Sequence, residues 1–412
     1  MSSGISKPIP KQPEVNIGTS GHVDHGKTTL VEALTGKWTS AHSEELRRGI
    51  TIRVGYADAA IYRCEGVAAP GCYNTLGECI GTEAQLLRVV SFVDSPGHES
   101  LMANMLSGAA IMDGAIIVIA ANEPVPQPQT KEHVQALKMI GVDKVVVAQN
   151  KVDLVAYEAA LENEAKIRAF LESIGYGNAP LIPISAQRHL NIDALLEAIE
   201  TTIPTPQRDV QAKPFMYVLR SFDVNKPGTS IEKIKGGVVG GSLTQGSLKV
   251  GEEVEIKPGL YDHIKTKYVP VVTKIVSLST SAGLVDSVKP GGLVAVGTTL
   301  DPFYAKSDAL VGSVAGSPGS LPEEISELVM KASLFDTVVG VNEAIKVDPI
   351  KMNEILRLNV GTATTAGSVV QMKGGNTYVK LRKPVCPVPG ARVAISRRIG
   401  DRWRLIGSAI LV

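Results

Sequence analysis

The sequence lacks most of the features that assign a chain to a class at a glance. Its 412 residues carry 42 Lys and Arg against 41 Asp and Glu, a formal net charge of +1. No field of one sign extends from such a molecule, so any contact with nucleic acid has to come from local basic patches. Four cysteines are present, three of them falling between Cys64 and Cys79. That is no disulfide framework for so long a chain, and it points to a reducing compartment. The longest apolar run, near Ala115 to Ala121, is far too short to cross a bilayer, and the opening MSSGISKPIPKQP has no apolar segment of the signal type. A soluble, cytoplasmic protein without a membrane partner is expected. No internal repeat stands out.

What is present is enough apolar residue, 44 %, to bury more than one core, with 20 % charged residues excluding a disordered chain. Residues 1–13, rich in Ser, Lys and Pro, read as a flexible tail. From residue 14 to 203 strand-like runs alternate with helical patterns: VNIGTS, VVSFVD, GAIIVIAA, KVVVAQN and PLIPIS are separated by segments of helical period. This alternation predicts an α/β domain with a mostly parallel sheet and helices on both faces. The segment 204–214 carries prolines at 204, 206 and 214 and reads as a linker. Beyond it helix signals almost vanish, and short β-type runs broken by glycine turns predict two β-barrels, at 215–321 and 322–412.

The most informative stretch is Gly21-His-Val-Asp-His-Gly26-Lys27-Thr28, between a strand and a helix. Two glycines with four residues between them, followed by Lys-Thr, form a phosphate-binding loop, whose backbone N–H groups and helix N-terminus converge on phosphate oxygens. A plain glycine turn is the competing reading, and the strand–turn–helix context weighs against it. Asp24, His25, Gly26, Lys27, Thr28 and Thr29 are expected at the nucleotide, with Lys27 bridging the outer phosphates and the Thr28 hydroxyl on Mg²⁺. Asp94-Ser-Pro-Gly97 follows VVSFVD: Asp94 is expected to hold Mg²⁺ through a water, and Gly97 to turn its N–H toward a terminal phosphate. Asn150-Lys151-Val-Asp153 follows KVVVAQN. The Asp153 carboxylate can accept from N1–H and the 2-amino group of guanine, which adenine does not offer, while Asn150 orients the loop and the Lys151 stem covers the base. Ser185-Ala186-Gln187 would give guanine O6 a backbone N–H. Between phosphate loop and Asp94, Thr51 in Arg48-Gly49-Ile50-Thr51 is expected to close on Mg²⁺ in the triphosphate state, against the plainer reading of a strand-leading threonine.

Taken together GHVDHGKTT, RGIT, DSPGH, NKVD and SAQ resemble the translational GTPases, in which two β-barrels follow the nucleotide domain. HSEELRRGITI, GYADA, MLSGAAIMDGAIIVIAANEP, RSFDVNKPG, KGGVVGGS, PGGLVAVGT and SRRIGDRWRLIG resemble one branch, the gamma subunits of archaeal and eukaryotic translation initiation factor 2. The resemblance spans residues 14–412. It implies GTP and GDP as ligands with Mg²⁺, GTP hydrolysis, and methionyl initiator tRNA, the alpha and beta subunits and the small ribosomal subunit as partners. It implies that His98 positions the attacking water behind an apolar gate of Val23 and Ile50, that Asp24 and Gly49 belong to a second Mg²⁺ site, and that Tyr56 and the first barrel border the pocket for the methionylated tRNA end. Members often carry a zinc knuckle of paired Cys-x-x-Cys in the segment that corresponds to the inserted loop 62–87. Here Cys64, Cys72 and Cys79 make an incomplete set, and zinc is not expected. Arg220, Lys226, Arg397, Arg398 and Arg402 are open to tRNA phosphates, though scattered basic residues are more often solvated; Trp38 and Trp403 read as core or interface residues rather than stacking platforms. Alternatives are an elongation-type aminoacyl-tRNA carrier, a metabolic GTPase subunit driving a partner enzyme, and a scaffold with a vestigial site.

Overall fold

The computed structural model of the chain describes residues 9–39, 54–97, 101–339 and 345–412. They form two compact units, Met1–Pro206 with Thr337–Lys346, and Gln207–Asp336 with Val347–Val412.

In the first unit, β1 (Val15–Ser20) leads through the phosphate loop into α1 (Lys27–Thr35). There follow β2 (Gly55–Cys64), β3 (Tyr73–Asn74), β4 (Ala84–Asp94), α2 (Met102–Ala109), β5 (Gly114–Ala120), α3 (Pro128–Ile140), β6 (Val145–Asn150), α4 (Tyr157–Ile174), β7 (Leu181–Pro183) and α5 (Ile192–Thr202). The sheet order is β3-β2-β4-β1-β5-β6-β7, with β4, β1, β5, β6 and β7 parallel and β2 and β3 antiparallel at one edge. Every residue of β1, β5 and β6 is buried, the expected fate of central strands covered on both faces. Ile17, Ile116, Val118 and Val146 lie in one core with Leu30 and Leu34 of α1 and Leu195 and Ile199 of α5. Each such side chain contributes about 1.5–3 kcal/mol by leaving water.

The far end of β4 is fixed by Arg88, only 5 % exposed. Its guanidinium donates to Glu200 at 2.7 Å and to the carbonyls of Ile199 and Ile203 at 3.3 and 2.7 Å, satisfying the last turn of α5. Burial pushes the Glu200 carboxyl up, and Arg88 offsets that.

The sequence reading missed β2, because GYADAAIYRC offers small residues instead of a strong strand pattern. Its pairing with β4 from Gly55↔Asp94 to Cys64↔Ala84 makes the strand. The inserted segment also differs from expectation. Cys64 and Cys79 form a disulfide with Cα atoms 5.6 Å apart, whereas the cysteine count suggested none. The physical cause is tertiary: β2 and β3 pair, so Cys64 N–H donates to Cys72 O, and the chain turns back so that Gly77 packs on the Tyr62 ring. A spacing of 15 residues carries no sign of that approach. Cys72 and Cys386 are free and buried. Among the described residues no group of three or more His, Cys, Asp or Glu is placed to hold a metal ion, and no helix is long and apolar enough to cross a membrane.

The second unit contains two barrels. The first runs Glu253–Asp262, Val314–Gly316, Phe215–Phe222, Val238–Gln245, Val294–Thr298 and Lys267–Thr280, closing where Lys267–Thr280 pairs back with Glu253–Asp262. The second is closed in the order Ile325–Leu334, Asn376–Val385, Ala363–Lys373, Ile355–Val360, Arg392–Ile399, Arg402–Leu411. Among the described residues, closure pairs each of these twelve strands on both sides, and the short strand Gly283–Val285 pairs with Lys267–Thr280. Phe215 and Val314 of the first pack with Cys386 of the second, and burial pushes the Cys386 thiol up to about 12. Lys383 reaches from the second barrel to the carbonyl of Val311 at 3.2 Å.

Candidate functional site

The phosphate loop is held in a shape that side chains could not take. Gly21 has φ 143° and Gly26 φ 89°, and a Cβ on Gly26 would stand 2.4 Å from Asn150 Nδ2. Gly26 is the N-cap of α1, no side chain caps that helix, and its first turn carries no acidic residue. The positive end of the helix dipole is therefore offered to a ligand.

Lys27 is buried, its ammonium donating to the carbonyls of Gly21 at 3.0 Å and His22 at 2.6 Å. Burial lowers its pKa to about 8, against the opposing pull of Asp94 and Asp24. Gly97 lies beside it: a Cβ there would be 2.5 Å from Lys27 Nζ and 3.0 Å from Val23 N. Asp94 is fully buried and receives hydroxyl hydrogen bonds from Thr28 at 2.8 Å, Thr39 at 2.6 Å and Thr19 at 2.9 Å. A buried carboxylate ringed by hydroxyl oxygens, with a phosphate cradle adjoining it, is a hard-oxygen donor set that suits Mg²⁺. Thr39 was not anticipated, and nothing local in KWTS signals it.

The loop after β6 is joined to the phosphate loop. Asn150 donates through Nδ2 to the carbonyl of His25 at 2.9 Å, and its Oδ1 accepts from Ala186 N at 3.0 Å. The three loops at the ends of β1, β6 and β7 are thereby cross-linked. Lys151 takes φ 64°, and Asp153 sits in the one-turn helix Val152–Leu154 with Arg188 3.9 Å away. Ser185 and Ala186 are buried and Gln187 is exposed. The His25 ring is buried and pushed down to about 3 by loss of water, with Nδ1 3.0 Å from Val118 O. Beneath the loop His133 of α3, also fully buried, has Nδ1 3.5 Å from Gly21 N, and burial pushes it down to about 3. Asp24 is exposed at φ 63°, Thr29 is half-buried in α1, and Val23 N–H donates to Gln129 at 3.5 Å. Arg48, Gly49, Ile50, Thr51 and His98 lie outside the described residues.

Elsewhere the basic residues are partly committed. Arg397 is bound by Glu354 and by the carbonyls of Asp348 and Pro349, and Arg220 by Asp308 at 2.9 Å, which makes both structural links. Arg398 pairs with Asp401 at 3.3 Å on the surface, and Arg402 and Lys226 are exposed. Trp403 carries the Arg357 guanidinium over its ring at 4.5 Å, while Trp38 is 46 % exposed and so no core residue.

Comparisons with known proteins give the arrangement a family context. A family model described as the elongation factor Tu GTP binding domain matches residues 12–205, and one described as initiation factor eIF2 gamma, C terminal, matches residues 326–411. The translation initiation factor 2 subunit gamma of Archaeoglobus fulgidus is 57 % identical over 401 residues, covering 97 % of this chain and 94 % of that protein. Its counterpart in Pyrococcus abyssi is 56 % identical over 407 residues, covering 97 % and 98 %. Among solved structures, a bacterial selenocysteine-specific elongation factor aligns with TM-score 0.74 at 25 % identity over 97 % of this chain, which spans 58 % of that protein's length. The elongation factor SelB of Methanococcus maripaludis, in complex with the GTP analogue GppNHp, shares the fold with TM-score 0.71 at 22 % identity, covering 98 % of this chain and 80 % of that one.

Proposed function

The chain belongs to the gamma-subunit family of translation initiation factor 2, and from that premise we propose that it is the GTP-switched core of such a factor, carrying methionyl initiator tRNA to the small ribosomal subunit. It is a translational GTPase, hydrolysing GTP to GDP and phosphate. The alpha and beta subunits are its further partners. The observation that carries the reading is the cross-link from Asn150 to His25, which joins a guanine-reading loop to a phosphate cradle.

The chemistry assigned to the residues follows from their surroundings. Lys27, already stripped of water and held by two carbonyls, is set to exchange one of them for a phosphate oxygen, and in a dry site that charge pair is strong. Thr28 and Asp94 are the residues that would hold Mg²⁺, with Thr51 joining in the GTP state and Asp24 and Gly49 assigned to a second ion; the metal neutralises phosphate charge. Gly97, whose lack of a side chain leaves room beside Lys27, gives its N–H to the terminal phosphate. Asp153 reads the guanine edge, Lys151 covers its face, and a peptide N–H of the Ser185–Gln187 turn meets O6. His98 orients the attacking water, and Val23 with Ile50 keeps it away until the ribosome signals.

Nucleotide competition tests the reading. GTP and GDP should displace a fluorescent guanine nucleotide, while ATP should fail at ~10⁴-fold higher concentration, because adenine offers Asp153 neither of the two donors that guanine does. Equal displacement by ATP would refute it.

A further inference from the structure

Glu123 follows β5, the strand that lies between β1 with its phosphate loop and β6 with its base-reading loop. It lies in one of the stretches that carry the family resemblance, but no role assigned above uses it. One carboxylate oxygen stands 3.3 Å from Nε2 of His25 and the other 3.8 Å from Nζ of Lys151. Both side chains of the ion pair are about three-quarters buried, at 25 and 27 % exposure. Glu123 is itself held in place: its backbone carbonyl accepts from Asn163 at 3.3 Å, Asn163 accepts from Gln149 at 2.9 Å, and Gln149 immediately precedes Asn150 in β6. Gln127 donates to its carboxylate at 3.5 Å.

We propose that Glu123 is a positioning residue for nucleotide recognition, tethering the Lys151 ammonium so that the lysine stem is fixed across the guanine face. The proposal rests on the guanine-nucleotide reading of the site. His25 already has Val118 O for its Nδ1, so the cation that answers the Glu123 charge is Lys151. Lys151 takes a left-handed backbone conformation, φ 64°, and its flexible four-carbon stem has many rotamers; an anchored ammonium removes most of that freedom before the base arrives. The tether acts on the base half of the ligand. The phosphate half is held by Lys27 and the backbone N–H groups of the loop, which Glu123 reaches only at the His25 ring.

Glu123→Gln isolates the charge, since the amide keeps the size and can still accept from Gln127. GDP dissociation, followed with a fluorescent analogue, should become about fivefold faster, the size of a partly buried ion pair, while competition by inorganic pyrophosphate stays within twofold of the parent. Lys151→Met should have a similar effect on GDP, and the double variant should be no faster than the worse single one. The proposal falls if Glu123→Gln releases GDP at the parental rate, if pyrophosphate binding weakens equally, or if the two substitutions are additive. A parent that does not bind GDP at all overturns the guanine-nucleotide reading, and this proposal with it.

Discussion

Asn150 gives its amide N–H to the carbonyl of His25 at 2.9 Å and takes the N–H of Ala186 at 3.0 Å on its carbonyl oxygen. One side chain thus fixes the phosphate loop and the loop after β7 to each other. Asn150→Ala strands both partners in a buried place, and each unmet group costs about 1–3 kcal/mol. GDP affinity should fall by on the order of 10²-fold, and thermal unfolding of the first unit should move several degrees lower, both readable by calorimetry.

Base choice provides a second check. Asp153→Asn replaces two acceptors with a donor and an acceptor, which suits the 2-carbonyl of xanthine better than the 2-amino group of guanine. Displacement assays should show preference moving from GDP toward XDP. An unchanged preference for GDP would remove Asp153 from the base site.

Acid should weaken the first unit through His133. Its folded pKa is depressed by burial to about 3, below the unfolded value of 6.5. Above pH 6.5 both states are neutral and stability is intact; as pH falls from 6.5 toward 3 only the unfolded chain takes the proton, and stability drops by about 1.4 kcal/mol per pH unit. NMR of labelled histidine should find this ring neutral at pH 5, and His133→Leu should reduce the pH dependence of urea unfolding over that range by about 1.4 kcal/mol per pH unit, leaving the share that His25 contributes. A ring midpoint between pH 6 and 7 would contradict the burial account.

The Cys64–Cys79 bond makes a count testable. Unfolded without reductant, the protein should react with two equivalents of a thiol reagent, at Cys72 and Cys386, and after reduction with four. Four without reductant would show that the pair is free.

Much of this was legible in the chain, for reasons that particular residues make plain. Gly114–Ala120 is an uninterrupted apolar run, which a parallel sheet demands, and Val15–Ser20 alternates apolar with small residues as a buried strand does. Asp94 and Asn150 end β4 and β6, and Lys27 and Thr28 open the helix that follows β1, where sequence order alone fixes the side of the sheet. The rest depended on tertiary pairing. β2 becomes a strand because β4 offers it an edge. Thr39 reaches Asp94 across 55 positions, and Glu123 reaches His25 because β5 lies between β1 and β6. The disulfide needed the β2–β3 pairing and the turn at Gly77. None of these has a local pattern to read.

The central claim is that the nucleotide state of this protein governs its hold on initiator tRNA. The most direct test is the affinity of the factor, assembled with its alpha and beta subunits, for methionyl initiator tRNA, measured in GTP and in GDP, with methionyl elongator tRNA as control. A switch with a coupling free energy of about 1–3 kcal/mol predicts initiator binding roughly 5- to 150-fold tighter in GTP than in GDP, with the elongator form weaker in both. Equal initiator affinity in the two nucleotides, or equal affinity for the two tRNAs, would contradict it.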